Sequence, residues 1–243
     1  MTRPPLPTRP DGAPWRNLHG RRRGKALRPA QRRHLEQTLP KVCVPNVGWA
    51  DNPARVPVDL PGLFARRAPL ILEIGFGAGE HLLHCADHMP DHDFIGCEPY
   101  MNGVAALLPR LAARRVGNVR VHPGDARDLL DVLPAASVDI CYLLYPDPWP
   151  KRRHQGRRFV QPDTIAAMAR AVRPGGELRV ATDIADYARH VLATFRGGSG
   201  FDWMAERPSD WRDPWPGFLS TRYEIKARRA GRRPTYLRYR RAD

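Results

Sequence analysis

From Pro69 onward the chain alternates short apolar runs with amphipathic stretches in a regular order. Leu70-Ile71-Leu72-Glu73-Ile74 is nearly all apolar and too short for a helix, the pattern of a strand buried on both faces. Residues 80–88 place apolar side chains at helical spacing and read as the helix that follows. Residues 93–98 form a second strand, 101–114 a long amphipathic helix, 119–122 a third strand and 138–144 a fourth. Residues 162–172 read as a helix stopped by the turn Pro174-Gly175-Gly176, after which 177–181 are a fifth strand and 185–195 a further helix. Strand and helix taking turns in this way marks parallel βαβ units with helices covering both faces of the sheet. The C-terminal part breaks the rhythm: residues 223–227 and 235–239 read as an antiparallel strand pair around a turn at Gly231. The expected fold is therefore α/β and Rossmann-like, with a mostly parallel sheet and an antiparallel C-terminal strand. No internal repeat is visible.

The N-terminal part has a different texture. Residues 1–40 are dominated by Arg, Pro and Gly, with basic clusters at Arg21-Arg22-Arg23-Gly24-Lys25 and Arg32-Arg33. Such a segment buries too little apolar surface to offset the entropy of ordering it. Residues 1–45 are thus expected to be a basic, largely flexible extension, with a short helix over 31–39, and residues 46–243 a single domain. A length of 243 residues suits that division. Charge sharpens the picture: 40 Lys and Arg against 25 Asp and Glu leave a net +15. Very few of the basic residues are Lys. Arg presents a planar fork that matches phosphate oxygens and stacks on bases. A GC-rich genome would favour Arg over Lys, but it would not produce the surplus of base over acid. The surplus points to a polyanionic partner, either nucleic acid or an acidic membrane surface.

Other classes recede. Cys43, Cys85, Cys97 and Cys141 are scattered, with no CxxC pair and no His at ligand spacing, which argues against a disulfide framework or a metal site. No apolar run approaches the roughly 18 residues of a membrane span. The N-terminus lacks the apolar stretch of a secretory signal, and its Asp11 fits poorly with an organelle transit peptide. A cytoplasmic protein is expected.

The first chemistry-bearing motif is Glu73-Ile74-Gly75-Phe76-Gly77-Ala78-Gly79, at the end of the first strand and the start of the first helix. Gly75, Gly77 and Gly79 let the backbone turn sharply and approach a ligand. A dinucleotide fingerprint spaces its glycines GxGxxG; here the third arrives one residue early, and Glu73 stands two positions before the first. A carboxylate there would repel a pyrophosphate. It suits S-adenosylmethionine, which carries an ammonium and a sulfonium and no phosphate. Glu98 ends the second strand about 20 residues later, where a carboxylate can accept from both ribose hydroxyls. Asp125 and Ala126 follow the third strand, placed to meet the adenine amino edge, although Asp is also a common helix N-cap. These acids fall at the C-terminal ends of successive strands, the edge at which open α/β sheets bind ligands.

The second motif follows the fourth strand: Tyr145-Pro146-Asp147-Pro148-Trp149-Pro150-Lys151-Arg152-Arg153-His154, then Arg157-Arg158. Two prolines stiffen the loop around Asp147, Trp149 offers a stacking plane, and cations follow at once. These are the parts needed to hold one base of a nucleic acid. On these residues the sequence resembles the bacterial tRNA (guanine-N7-)-methyltransferase family. The matching pieces are the stretch from Leu72 to Gly79, Gly96-Cys97-Glu98, Pro146-Asp147-Pro148-Trp149 with its basic tail, Ala181-Thr182-Asp183, and Thr221-Arg222-Tyr223-Glu224, across roughly residues 65–240. The glycine motif is shared by many methyltransferases; the Pro-Asp-Pro-Trp loop joined to the late Thr-x-Tyr-Glu is far more specific. The resemblance implies an S-adenosylmethionine-dependent methyltransferase fold over residues 46–243. It implies that Glu73, Glu98, Asp125 and Asp147 line the donor and that Asp147 is catalytic. Lys151, Asp183, Thr221, Arg222, Tyr223 and Glu224 would contact the substrate, the variable-loop guanine of tRNA. Pro150 stands where the family often has His, Gly156 where a basic residue is usual, and Cys97 in place of an aliphatic.

Guanine N7 has a free lone pair, so attack needs no prior deprotonation. Catalysis would then rest on alignment and on carboxylates facing a purine that becomes cationic. Asp147, Asp183 and Glu224 are the candidates for that role and for accepting from guanine N1–H and its amino group. Lys151, Arg153, Arg157, Arg158 and the N-terminal arginines would hold phosphates. Three rivals remain. A methyltransferase acting on an exocyclic amine would carry an Asn/Asp-Pro-Pro-aromatic loop, a different order from this one. A non-catalytic RNA-binding protein on the same scaffold would not need acids at each cofactor position. A nicotinamide oxidoreductase would need the other glycine spacing. The expected state is monomer or homodimer, with tRNA as partner and no membrane or metal.

Overall fold

The computed structural model describes residues 8–9, 12–13, 15–114 and 117–243; the rest of the N-terminal extension, Asp11 included, and residues 115–116 lie outside the described residues. Its centre is the alternating region. Strands β1 (Leu70–Ile74) and β2 (Asp93–Cys97) are buried along their whole length, as their apolar runs require. Helices α4 (Glu80–His88) and α5 (Met101–Arg114) follow them, and β3 (Val119–His122) and β4 (Val138–Leu144) complete the parallel core. Among the described residues, three short helices precede this core: α1 (Pro29–Gln37), α2 (Leu39–Val42) and α3 (Leu60–Phe64). Between β3 and β4 lies α6 (Ala126–Val132), a seven-residue helix too short for its periodicity to stand out in sequence. After β4 come α7 (Pro162–Ala171), β5 (Val172–Thr182) and α8 (Ala185–Phe195). The Pro174-Gly175-Gly176 turn falls inside β5, where the register against β4 shifts and Gly175 takes φ +71°.

Among the described residues, seven strands are ordered β3-β2-β1-β4-β5-β7-β6, with β6 (Phe201–Trp203) and β7 (Thr235–Arg241) closing one edge. Pairings among β1 to β5 are parallel, and β7 runs antiparallel between β5 and β6. Chain order reverses at β1, which has β2 on one side and β4 on the other. A crevice opens at such a switch point, beyond the carboxyl ends of the strands. Each face of the sheet has its own core. Leu72 and Ile74 pack with Leu129, Ile165, Met168 and Val191 on one side, and Ile71 packs with Leu82, Val104, Leu107 and Tyr236 on the other.

The C-terminal strand pair expected from sequence is corrected here. Residues 222–229 are helix α10 (Arg222–Arg229), and β7 pairs with β5 and β6 instead. Over five residues, alternating Tyr, Ile and charge fits period 2 or period 3.6 equally well. The choice is made by burial of Glu224 and Ala227, one helical turn apart, and by the Thr221 hydroxyl, which accepts from Glu224 N at 3.2 Å as an N-cap. Helix α9 (Ser209–Arg212) lies in the connection before it, and the Trp211 ring of this helix lies 5.6 Å from that of Trp203 of β6, tilted by 45°. Trp215 instead enters the core beside Tyr142 and Tyr236.

The N-terminal segment runs along the ligand edge of the sheet. Arg16 pairs with Asp131 at 2.6 Å and Asp128 at 3.2 Å on α6. Arg22 O accepts from Met101 N at 3.0 Å, and Gly24 N donates to Asn102 Oδ1 at 2.8 Å, both at the start of α5. Leu35, Leu39 and Val42 then pack on the core under α5, and Cys43 bridges to Val121 at the outer edge of β3. Among the described residues no helix is long and apolar enough to cross a membrane, and no cluster of three or more His, Cys, Asp or Glu could hold a metal.

Candidate active site

The turn after β1 carries Gly75, Gly77 and Gly79, all at positive φ. A side chain at Gly79 would be strained twice over, since its Cβ would come within 2.5 Å of Leu107 on α5. Gly75 is different: a Cβ there would meet nothing within 4 Å, because the backbone borders open space. That space is a cavity of about 970 Å³ at the switch point, lined by Gly75, Gly77, Glu98, Asp125, Ala126, Asp147, Trp149 and Tyr223 among others.

Glu98 ends β2 with both carboxylate oxygens engaged: Oε2 accepts from Gly77 N at 2.7 Å and Oε1 from Tyr100 N at 2.9 Å. Burial pushes its pKa up, the two amide bonds oppose this, and the charge of Asp147 adds to the rise. The Gly77 amide, which would face a pyrophosphate in a dinucleotide site, is thus taken by an acid. Asp125 caps α6, accepting from Arg127 N at 3.0 Å, and also holds the Arg127 guanidinium at 2.5 Å. Burial alone would raise the Asp125 pKa; the Arg127 bonds and charge overcome it and hold it below the usual carboxylate value. A cavity bordered by Glu98, Asp125 and Asp147, with the Gly77 amide already engaged, fits a cationic, phosphate-free cofactor.

The opposite wall is the loop after β4. Tyr145 leaves the strand at φ +51° with its amide bonded to Ala181 O at 2.7 Å, and Trp149 stands at φ +40°. Left-handed backbone at non-glycine residues costs of order 1–3 kcal/mol each and persists only where surroundings hold it. Between them Asp147 is exposed at the cavity wall. Trp149 has the Arg157 guanidinium 5.2 Å from its ring centre and the rings of His19 and His154 edge-on at 6.3 and 5.9 Å.

Arg158 corrects the sequence reading, which placed it among the phosphate-binding cations. Its side chain is only 1% exposed; Nε donates to Pro148 O at 2.9 Å, and its terminal nitrogen pairs with Asp186. It pins the Asp147 loop from beneath. Arg158→Ala is expected to slow single-turnover methyl transfer about 10–100-fold by loosening that loop. Arg158→Lys should recover little, because an ammonium lacks the fork that serves both acceptors. Unchanged rates in both variants, measured in rapid-quench assays, would remove this role.

Most of the remaining residues from the sequence reading lie off the cavity wall. Glu73 is buried and turned to the other face of β1, where its Oε2 accepts from His81 Nδ1 at 2.7 Å. Burial opposes charge on His81, but Glu73 and Cys85 beside it raise the imidazole to about 10. Lys151 is exposed at the head of a 3-10 turn, residues 152–157. Asp183 is held by Arg232 Nε at 2.5 Å. Arg222 lies over the Tyr223 ring at 5.2 Å, while Tyr223, 48% exposed, packs against Gly77 and reaches the cavity. Thr221 is the α10 cap, and Glu224 is 2% exposed and bonded to Tyr236 and Arg228. Glu73, Gly79, Lys151, Asp183, Thr221, Arg222 and Glu224 do not line the cavity. Sequence reasoning missed Asn17, Leu18, His19 and Gly20, which do, and assigned Arg21, also on the wall, to phosphates alone. A basic, Pro-rich composition holds no signal for such a placement.

Strand order with an antiparallel β7, a glycine turn after β1 and an acid closing β2 together define the Rossmann-like methyltransferase class. The sequence model of a family described as "Putative methyltransferase" matches residues 67–237. The chain is 55% identical to the tRNA (guanine-N(7)-)-methyltransferase of Roseobacter denitrificans over 226 residues, 93% of this chain and 96% of that one. It is 54% identical to the protein of the same name from Ruegeria pomeroyi over 236 residues, 97% and 98% of the two chains. Among solved structures, the 16S rRNA methyltransferase KamB shares the fold at a TM-score of 0.59 and 17% identity, over 76% of this chain and 93% of that one. The chain belongs to the tRNA (guanine-N(7)-)-methyltransferase family.

Proposed function

We propose that this protein transfers the methyl group of S-adenosylmethionine to N7 of a guanine in the variable loop of tRNA, working in the cytoplasm as a monomer or homodimer. One observation carries the reading: a single cavity is bordered by Glu98 and Asp125, at the ends of β2 and β3, and by Asp147 and Trp149, after β4. The name borne by relatives at 54% and 55% identity supports the choice of acceptor.

The donor, when bound, supplies an electrophilic methyl on a cationic sulfur. Glu98 would hold the ribose hydroxyls and the backbone at Asp125 and Ala126 the adenine edge. Asp147 faces the acceptor. Guanine N7 needs no base to free its lone pair, so the task of Asp147 is electrostatic: it offsets the positive charge that develops on the purine. Trp149 and Tyr223 offer planes against which a base can stack. Of the three acids suited to reading guanine N1–H, Asp183 and Glu224 are engaged by Arg232 and by Arg228 with Tyr236, which leaves Asp147 exposed for it. Lys151, Arg153, Arg157 and the exposed cluster Arg21-Arg22-Arg23 would meet phosphates.

The test is incubation of unmodified tRNA with labelled S-adenosylmethionine, followed by nucleoside mass spectrometry. The expected product is 7-methylguanosine, and tRNA affinity should fall steeply as salt rises, because phosphate contacts release counterions. Label on another atom, or tRNA binding with no label at all, would overturn the reading.

A further inference from the structure

We propose that residues 15–25 form a strap, pinned on α6 and on α5, that walls the cavity over the bound donor and slows its release. Arg16 and Asn102 are its positioning residues, and neither borders the cavity itself. This role rests on the reading of the cavity as the S-adenosylmethionine site.

The first pin lies on α6, where Asp128 and Asp131 are three residues apart and share one helix face. Asp131 accepts from both terminal nitrogens of Arg16, at 2.6 and 3.0 Å, and Asp128 accepts from one of them at 3.2 Å. A two-pronged guanidinium–carboxylate pair fixes direction as well as distance. The two side chains are only 23% and 21% exposed, so salt screens the pair less than at open surface. Beside it the Trp15 ring stands edge-on to buried Trp49 at 6.2 Å, and the Arg9 and Arg55 guanidinium groups lie 4.9 and 4.4 Å from the Trp49 ring centre. The second pin is Asn102, in the first turn of α5. Its Oδ1 accepts from Gly24 N at 2.8 Å and its Nδ2 donates to Lys25 O at 2.7 Å. Met101 N, an amide with no partner inside its own helix, donates to Arg22 O at 3.0 Å. The fit is close: a Cβ on Gly24 would collide with the Tyr100 hydroxyl.

Between the pins run Asn17, Leu18, His19, Gly20 and Arg21, and each of them borders the cavity. Asn17 O accepts from Arg127 Nη2 at 3.0 Å, and Nε of the same guanidinium donates to Asp125 Oδ1 at 3.0 Å. The strap is therefore tied to the acid that follows β3. It also reaches the Asp147 loop: His19 meets the Trp149 ring edge-on at 6.3 Å, and a Cβ on Gly20 would lie 3.6 Å from Asp147 Oδ2. The cavity thus gains a third wall, beside the glycine turn and the loop after β4. A short span held at both ends has few ways to lift. With one pin gone it becomes a tethered end, and contacts with the donor alone must offset the entropy of ordering it.

Arg16→Ala and Asn102→Ala each remove one pin and leave every cavity-lining side chain in place. Each is expected to speed S-adenosylhomocysteine dissociation, followed by stopped flow, about 5–20-fold with a matching loss of affinity. Arg16→Lys should restore part of that loss, because an ammonium keeps the charge but not the fork. At saturating donor, single-turnover methyl transfer should stay within about threefold of wild type. Amide exchange across residues 17–24, measured on the protein alone, should quicken in both variants while exchange in β1 and β4 is unchanged. That pattern separates release of the strap from a general loss of stability. Unchanged dissociation rates in both variants, or a raised KM for tRNA with donor affinity intact, would overturn the strap and leave the segment as an RNA contact. A wild-type protein that binds no S-adenosylhomocysteine would overturn the donor reading and this role together.

Discussion

Asp147→Ala is expected to lower methyl transfer about 10²–10³-fold while S-adenosylhomocysteine binds as before, the scale of loss seen when one preorganised electrostatic partner of a transition state is removed. Asp147 is exposed, so deleting its carboxylate sacrifices no core packing. Pro146, Pro148 and the Arg158 bond to Pro148 O keep the loop in place. On the proposed function, what disappears is a negative charge facing a purine that turns cationic as the methyl arrives. Asp147→Asn should fall between wild type and alanine, since the amide keeps an acceptor oxygen for guanine N1–H but not the charge. Calorimetric titration with S-adenosylhomocysteine beside single-turnover rates separates the terms. Affinity lost in step with rate would leave Asp147 as a cofactor contact and no more.

His81→Leu is expected to destabilise the fold by about 3–5 kcal/mol, because it strands the buried Glu73 carboxylate without its partner. Both side chains are almost fully enclosed, His81 at 2% and Glu73 at 3% exposure, with Tyr142 edge-on to the imidazole at 4.8 Å and Phe218 over it at 5.7 Å. Adding Glu73→Gln to His81→Leu should recover part of the loss by removing the unpaired charge. The pair also dictates a pH profile. His81 is raised in the folded protein to about 10, against about 6.5 in an unfolded chain. Its contribution is therefore complete below about pH 6.5, declines as pH rises between the two values, and is lost above about 10. Urea unfolding of the wild type and the double variant at pH 6, 8 and 10 should show the wild type alone losing this increment. Parallel profiles would mean that His81 is neutral when folded. Because Glu73 faces His81 and not the cavity, its replacement should show in stability before it shows in donor affinity.

Much of this molecule is written locally along the chain. Strands β1 and β2 are buried on both faces, so their apolar runs could be nothing else, and α4, α5 and α8 carry long enough amphipathic patterns to be read directly. The glycine turn, the acid closing β2, the cap at Asp125 and the proline-stiffened Asp147 loop are also local, since backbone freedom and side-chain type suffice to define them. They border one cavity, as their positions at successive strand ends require.

Other features depended on neighbours far away in sequence. Residues 223–227 fit a strand or a helix until Glu224 and Ala227 are seen buried, and β7 pairs with β5 and β6 rather than with the segment just before it. Arg158 looks like its exposed neighbours Arg153 and Arg157, yet Asp186 and the Pro148 carbonyl draw it inside. Glu73 meets His81 instead of the cavity, and the segment Asn17 to Arg21 reaches the cavity although nothing in its composition foretells it. The reason is common to all of them. A short stretch of chain encodes its own backbone preferences and chemical groups, but the partner a charged side chain meets, and the face it turns to that partner, are settled only when distant elements pack and exclude water.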